Sequence, residues 1–206
     1  MAPVSYRLVF VTFEGVDGSG KTTQAGLLAE RLRAGGGEVV ETREPGGTEL
    51  GERIRELLLH SAHVVPWAEA ALFAASRAQL VEEVIRPALE RGADVVCDRY
   101  LDSSLAYQGI ARGLGLDRVL SLNLAAVGGL LPDRTFLVLV DAGTAARRLG
   151  ERRDRIERGG EELFARVDGA YRELARRYPE RIVTLDGARP AADLAEEVYG
   201  ALRGGS

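Results

Sequence analysis

One junction near the start of the chain constrains its fold more than any other feature. The apolar, β-branched run "RLVFVTFE" (7–14) stops at glycine and passes through a glycine-rich turn into "KTTQAGLLAERLRAGG". The first reads as a buried strand. The last carries Ala25, Leu28 and Leu32 at helical spacing and stops at Gly35, Gly36 and Gly37, a C-terminal signal. Between them, Gly15, Gly20, Lys21 and Thr22 match G-x-x-x-x-G-K-[ST], the pattern of a phosphate-binding loop. Glycines let backbone N–H groups turn inward around phosphate oxygens, and the helix N-terminus adds positive potential. Of the 27 lysines and arginines, Lys21 is the only lysine. Its compact ammonium can reach between β- and γ-phosphates, where arginine's planar fork would crowd the loop. The plain alternative is a glycine turn with a solvated lysine. The preceding strand and following helix favour a nucleoside triphosphate site built from Gly15, Val16, Asp17, Gly18, Ser19, Gly20, Lys21, Thr22 and Thr23.

The same alternation continues along the chain. "EVVET" (38–42), "ADVVCD" (93–98), "FLVLVD" (136–141) and "RIVTLD" (181–186) read as four more strands, with helical segments between all of them. Helical periodicity runs through "ELGERIRELLL" and from Ala68 to Arg91, where Pro87 is expected to kink or break the helix. The expectation is a single α/β domain over residues 1–206: a three-layer fold with a five-stranded parallel sheet and helices on both faces. Three of these four later strands end on an acid, and the glycine loops fall at the same strand ends, where such sheets collect ligands. The densest charge run, "RRLGERRDRIERGGEE" (147–162), follows the fourth strand.

Composition narrows the partners. A net charge of −4 argues against a protein whose main partner is duplex nucleic acid. The single cysteine excludes an intramolecular disulfide, so a reducing cytoplasm is the expected home. No stretch reaches the ~18 apolar residues of a membrane span, and "MAPVSYRLVFVTF" lacks the plan of a signal peptide. A guanine-reading N-K-x-D segment is ruled out, since the only asparagine is Asn123 and the only lysine is already in the loop. Asp98 beside Arg99 places a Mg²⁺-organising carboxylate next to a phosphate-binding guanidinium.

"FEGVDGSGKTTQ", "REPGGTELGERIRELLL", "EAALFAASRAQL", "DRYLDSSLAYQG" and "RRDRIE" occur here in the order and spacing of the thymidylate kinases. The chain resembles that family over essentially its whole length. Composition and spacing alone reach only a small phosphate-loop kinase. The resemblance implies transfer from ATP to dTMP, giving ADP and dTDP, with Mg²⁺ and without nucleic acid or membrane partners. A related kinase for another pyrimidine nucleotide or deoxynucleoside, or a nucleotide-binding regulator without turnover, are the alternatives.

The resemblance also implies roles for individual residues. Lys21 and the loop amides hold the ATP phosphates, and Thr22 and Asp98 organise Mg²⁺. Asp17 meets the sugar 3′-hydroxyl of dTMP. Arg99 clamps the acceptor phosphate, and Arg43 belongs to a loop approaching the same substrate, with a plain surface loop arginine as the alternative. An aromatic on a helix is ordinarily core; the resemblance alone puts Phe73 against thymine and Arg77 at the base edge. Ser103 and Ser104 face the pyrimidine N3–H, Tyr107 crowds the sugar 2′ position, and Gln108 buttresses the helix. The arginine-rich segment, about 147–160, is the lid. Position 18 is glycine, so the loop lacks the catalytic arginine of one family branch. That charge is expected from Arg152, Arg153, Arg155 or Arg158, with Arg155 the best match, while Arg147 and Arg148 read as solvated charges. Family members usually form homodimers through helices beside the sheet. His60 and His63 have no metal-ligand company, and Cys97 and Trp67 read as packing residues.

Overall fold

The computed structural model describes residues 9–149 and 160–203. Five parallel strands, β1 (Phe10–Glu14), β2 (Val39–Arg43), β3 (Asp94–Asp98), β4 (Arg134–Leu139) and β5 (Ile182–Asp186), form one sheet in the order β2-β3-β1-β4-β5. The predicted strands are all present, each within a residue or two of its expected bounds where described. The phosphate-loop strand β1 is central. It pairs with β3 from Phe10↔Val95 and with β4 from Val11↔Arg134.

The period of two along each strand divides the core into two layers. Val11 and Phe13 of β1, Val96 of β3 and Phe136 and Val138 of β4 face one side. There they pack against α1 (Lys21–Ala34) and α9 (Ala191–Arg203), and Phe13 stacks on Phe136 with centroids 5.4 Å apart. Phe10, Val95, Cys97 and Leu137 face the other. That side is covered by α3 (Pro66–Leu80), α4 (Arg86–Glu90), α5 (Leu101–Ser104), α6 (Leu116–Ala126) and α8 (Gly160–Arg177). α2 (Glu49–His60) packs on α3, and α7 (Ala142–Leu149) follows β4.

Pro87 does not break its helix sharply. A π-helical turn, Val81–Ile85, joins α3 to α4, and Pro87 sits in the first turn of α4. A proline lacks the N–H for an interior bond and its ring crowds the carbonyl four residues back; the wider π turn accommodates both. A second π segment, Leu105–Ala111, extends α5.

The strand ends place the chemistry. β1 runs into the phosphate loop, β2 into Glu44–Pro45 (a cis peptide), β3 into Arg99 and β5 into Gly187. All lie at the carboxyl edge of the sheet.

Candidate active site

A cleft of about 590 Å³ opens at that edge. Its walls bring together Asp17, Gly18, Lys21, Thr22, Phe73, Arg99, Ser103, Ser104 and Tyr107, nine residues predicted from three separate motifs. Glu44, Pro45, Arg55, Leu59, His60, Gln108 and Leu149 complete the lining.

The loop takes its path because of glycine. Gly15 has φ 140°, and a Cβ there would stand 2.4 Å from the Val138 carbonyl oxygen. Any side chain would push the loop off the sheet. Gly20 caps α1, so the first-turn amides of that helix have no intrahelical acceptor and project toward the cleft. Lys21 is buried, and its Nζ donates to Asp17 Oδ1 at 2.7 Å and to Val16 O at 3.5 Å. The same Asp17 oxygen accepts from Arg99 Nη2 at 2.6 Å. One carboxylate thus draws together the cation expected at the donor phosphates and the cation expected at the acceptor. Burial alone would lower the pKa of Arg99, but Asp17, Tyr107 and Tyr171 outweigh it and hold the guanidinium charged.

Thr22 and Asp98 meet as expected: Thr22 Oγ1 donates to Asp98 Oδ2 at 2.5 Å. Asp98 Oδ1 is buried and has no hydrogen-bond partner among the described residues. A hydroxyl and a carboxylate with a spare buried oxygen are hard oxygen donors beside a phosphate loop, and they suit Mg²⁺. Cys97, one residue earlier, is buried on the far side of the strand with its thiol pKa pushed up by burial and by nearby carboxylates, as a core residue should be.

Phe73 of α3 lines the same cleft as Ser103, Ser104 and Tyr107 of the α5 region. Gln108 is more than a buttress. It lines the cleft, and its Nε2 donates to the buried Glu69 at 2.9 Å, which turns the amide oxygen away from Glu69. Arg77 is fully buried behind the wall rather than in it. Its Nε donates to Glu44 Oε2 at 2.8 Å, Nη1 to Ser104 Oγ at 3.1 Å, Nη2 to the Tyr100 carbonyl at 3.0 Å, and Nη1 also to Asn123. Two of those partners, Glu44 and Ser104, line the cleft. Burial lifts the Glu44 carboxyl to about 7 against the pull of Arg77, and its Oε1 has no partner among the described residues.

Arg43 departs from its expected place. It ends β2 and is half exposed, with Nη2 held by both Glu52 carboxylate oxygens at 2.9 and 3.0 Å. Glu52 also accepts from Gly47 N at 2.8 Å, so Arg43 fastens the loop to α2 and does not line the cleft. The arginine that does is Arg55, one turn after Gly51 on α2, whose Nη1 donates to the Pro45 carbonyl at 3.0 Å. The sequence carried one usable sign. Arg55 flanks the buried stripe Gly51–Ile54–Leu58, whereas Arg53 lies outside it and pairs with Glu49.

Arg148 is exposed, as expected of a solvated charge, but its guanidinium is also engaged. Its guanidinium donates to the Ser19 carbonyl at 3.1 Å and the Gly187 carbonyl at 2.9 Å, tying α7 to the phosphate loop and to the turn after β5. Gly187 allows the approach, since a Cβ there would be 2.8 Å from Ser19 O. Arg147 stays at the surface, bonded to Thr144. Arg152, Arg153, Arg155 and Arg158 lie outside the described residues.

Comparison with known proteins gives a consistent family. The family model described as "Thymidylate kinase" matches residues 13–198. The thymidylate kinase of Leifsonia xyli subsp. xyli is 50% identical over 200 residues, covering 95% of each chain. That of Pelotomaculum thermopropionicum is 50% identical over 185 residues, 87% of this chain and 86% of its own. That of Deinococcus radiodurans is 47% identical over 197 residues, 94% and 96%. Among solved structures, the crystal structure of thymidylate kinase from Ehrlichia chaffeensis superposes with a TM-score of 0.79 at 34% identity, covering 96% of this chain and 99% of its own.

Proposed function

Since the chain belongs to the thymidylate kinase family, we propose that its cleft transfers the γ-phosphoryl group of ATP to dTMP, giving ADP and dTDP. An oxygen of the dTMP phosphate attacks Pγ, and the bond from Pγ to the β–γ bridging oxygen breaks, leaving its electron pair on ADP. The acceptor oxygen is already anionic at neutral pH, so no general base is needed. Positioning and charge stabilisation carry the rate.

The residues divide along the cleft. The loop amides and Lys21 hold the β- and γ-phosphates, and Lys21 follows the charge as it moves to the transferring oxygens. Mg²⁺, when bound, neutralises charge on the β- and γ-oxygens; Thr22 and Asp98 would hold it, directly or through water. Arg99 and Arg55 bind the acceptor phosphate. Asp17 releases Lys21 and Arg99 as phosphates arrive and accepts from the sugar 3′-hydroxyl. Phe73 stacks on the base, and Ser103, Ser104 and Gln108 supply polar groups at its edge. Arg77 supports Glu44 and Ser104 from behind, and Tyr107 crowds a 2′ substituent. In residues 150–159, Arg155 is our choice for the charge at the transferred phosphoryl group.

The whole chain acts as one kinase domain. We place it in the cytoplasm, in keeping with its free buried Cys97; no helix among the described residues is long and apolar enough to cross a membrane. It acts as a homodimer, joined through the outer face of α2 and α3, where Leu50, Leu57, Val65 and Trp67 are exposed.

The observation that carries this reading is the convergence of Lys21, Asp17 and Arg99 in one cleft with Phe73 and Tyr107. The test is a panel of nucleoside monophosphates and deoxynucleosides given to the purified protein with ATP and Mg²⁺. dTMP should be the preferred acceptor. Absence of dTDP, or clear preference for dUMP or another acceptor, overturns the reading.

A further inference from the structure

Glu14 ends the central strand and is completely buried, in a position where an isolated carboxylate is costly. Its oxygens are fully used. Oε1 accepts from Tyr100 N at 2.8 Å and Ser103 N at 3.2 Å, and Oε2 accepts from Ser103 Oγ at 2.6 Å and Tyr171 OH at 2.9 Å. The same two hydroxyls meet Arg99 Nη1, at 3.0 Å from Ser103 and 3.2 Å from Tyr171.

A hydroxyl has one proton to give, an ionised carboxylate accepts only, and a guanidinium donates only. If Ser103 and Tyr171 both donate to Glu14, the lone pairs of both oxygens are left for Arg99. The two hydroxyls also stand 3.0 Å from each other, so they form one unit between the carboxylate and the guanidinium. The backbone is held as well. Arg99 has φ 70°, the one positive φ among the described non-glycine residues, a conformation that L residues rarely adopt. Arg99 N donates to Phe13 O at 2.9 Å on one side, and Glu14 Oε1 grips Tyr100 N and Ser103 N on the other. The remaining face of the guanidinium is thereby directed at Asp17 and the cleft. The other buried carboxylate nearby, Asp102, is taken up by Arg181, whose Nη2 lies 2.8 Å away and Nη1 2.5 Å.

We propose that Glu14 is a positioning residue for phosphoryl acceptance: acting through Ser103 and Tyr171, its carboxylate seats Arg99 for the acceptor phosphate. The proposal rests on the assignment of Arg99 to that phosphate. Glu14→Gln has nearly the same shape but presents an amide N–H to hydroxyls that must then turn their protons toward Arg99. Glu14→Asp keeps the acceptor-only charge. Steady-state kinetics with dTMP and ATP varied separately should show kcat/KM for dTMP falling tenfold or more in Glu14→Gln, with KM for ATP within twofold of the parent. Glu14→Asp should regain at least threefold of that loss. A Glu14→Gln enzyme within twofold of the parent for dTMP, or one whose KM for ATP rises in step, overturns the proposal. Should Glu14→Gln fail to fold, Tyr171→Phe decides. It keeps the carboxylate and removes one relaying hydroxyl, and a fall of threefold or more for dTMP alone is expected; a value within twofold of the parent overturns the proposal. Arg99→Lys separates the two layers. If it loses dTMP turnover while both other variants keep theirs, only Glu14's role fails; if it keeps dTMP turnover, the assignment of Arg99 fails and takes this proposal with it.

Discussion

Arg43 at the end of β2 and Arg55 on α2 look interchangeable on paper, and the difference between them is decided by their neighbours. Arg43 gives its donors to Glu52, which also holds Gly47 N. Among the described residues Arg55 is pinned through Nη1 to a carbonyl in the cleft wall, which leaves the rest of its fork for the cleft. A bidentate guanidinium on a phosphate is worth more than a half-exposed surface pair. Arg55→Ala should therefore raise KM for dTMP by tenfold or more, while Arg43→Ala should change it by less than about threefold and act mainly on loop stability. Equal effects in steady-state kinetics would return Arg43 to the substrate. At this scale the sequence was readable where geometry is built into the motif. Lys21 follows the glycine that caps α1, is buried, and has its ammonium on Asp17 and the Val16 carbonyl at the edge of the cleft. It was not readable where a long side chain chooses among partners distant in sequence. Arg148 finds carbonyls some 129 and 39 residues away, and no local pattern announces either.

The strands were legible because a parallel sheet buried on both faces demands continuous apolar runs, and β1, β3 and β4 supply them. The π turn before Pro87 was not, because a proline states that a hydrogen bond is lost but not how the helix absorbs the loss. The outer faces of helices pose a similar problem. Leu50 and Leu57 are seven residues apart on α2 and so lie on one face, at 46% and 53% exposure. Isolated exposed leucines are ordinary, but a repeated pair beside the exposed Val65 and Trp67 at the start of α3 supports a docked second copy. Light scattering should give twice the 22.2 kDa chain mass, and Leu57→Glu, which would bury a charge in that contact, should shift the protein to monomer without loss of helix signal. A parent that stays at the single-chain mass at tens of micromolar removes this interface. Within α2 the inner face is secured separately: Thr48 caps it through Gly51 N at 3.0 Å, and Ile54 and Leu58 are buried, so the outer substitution tests association rather than folding.

For the molecule as a whole, the strand order β2-β3-β1-β4-β5 was beyond the sequence, since alternation shows that strands are parallel but not which are neighbours. That order has an energetic consequence. It sets Glu14 on the central strand and Glu44 after the edge strand, both fully buried, and burial raises each from an ordinary 4.5 to about 7; Asp102 adds to the rise at Glu14, while Arg99 and Arg77 oppose it at Glu14 and Glu44 respectively. A carboxyl with a raised native pKa keeps its proton in the folded chain over a range in which the unfolded chain has released it. Its contribution to stability is therefore complete below about 4.5 and is lost as pH rises through 7. For Glu14 the change between pH 5 and 7 comes to about 2 kcal/mol. Denaturant unfolding of the parent and of Glu14→Gln should show the parent's stability relative to the variant falling by about that amount across this interval. A difference that stays flat would mean that Glu14 titrates as an ordinary carboxylate, and one that rises with pH would mean that the fold lowers its pKa. Seating Arg99 calls for the ionised form and the fold favours the protonated one, so activity and stability draw on opposite states of the same group, a conflict expected where a buried site is kept for its chemistry.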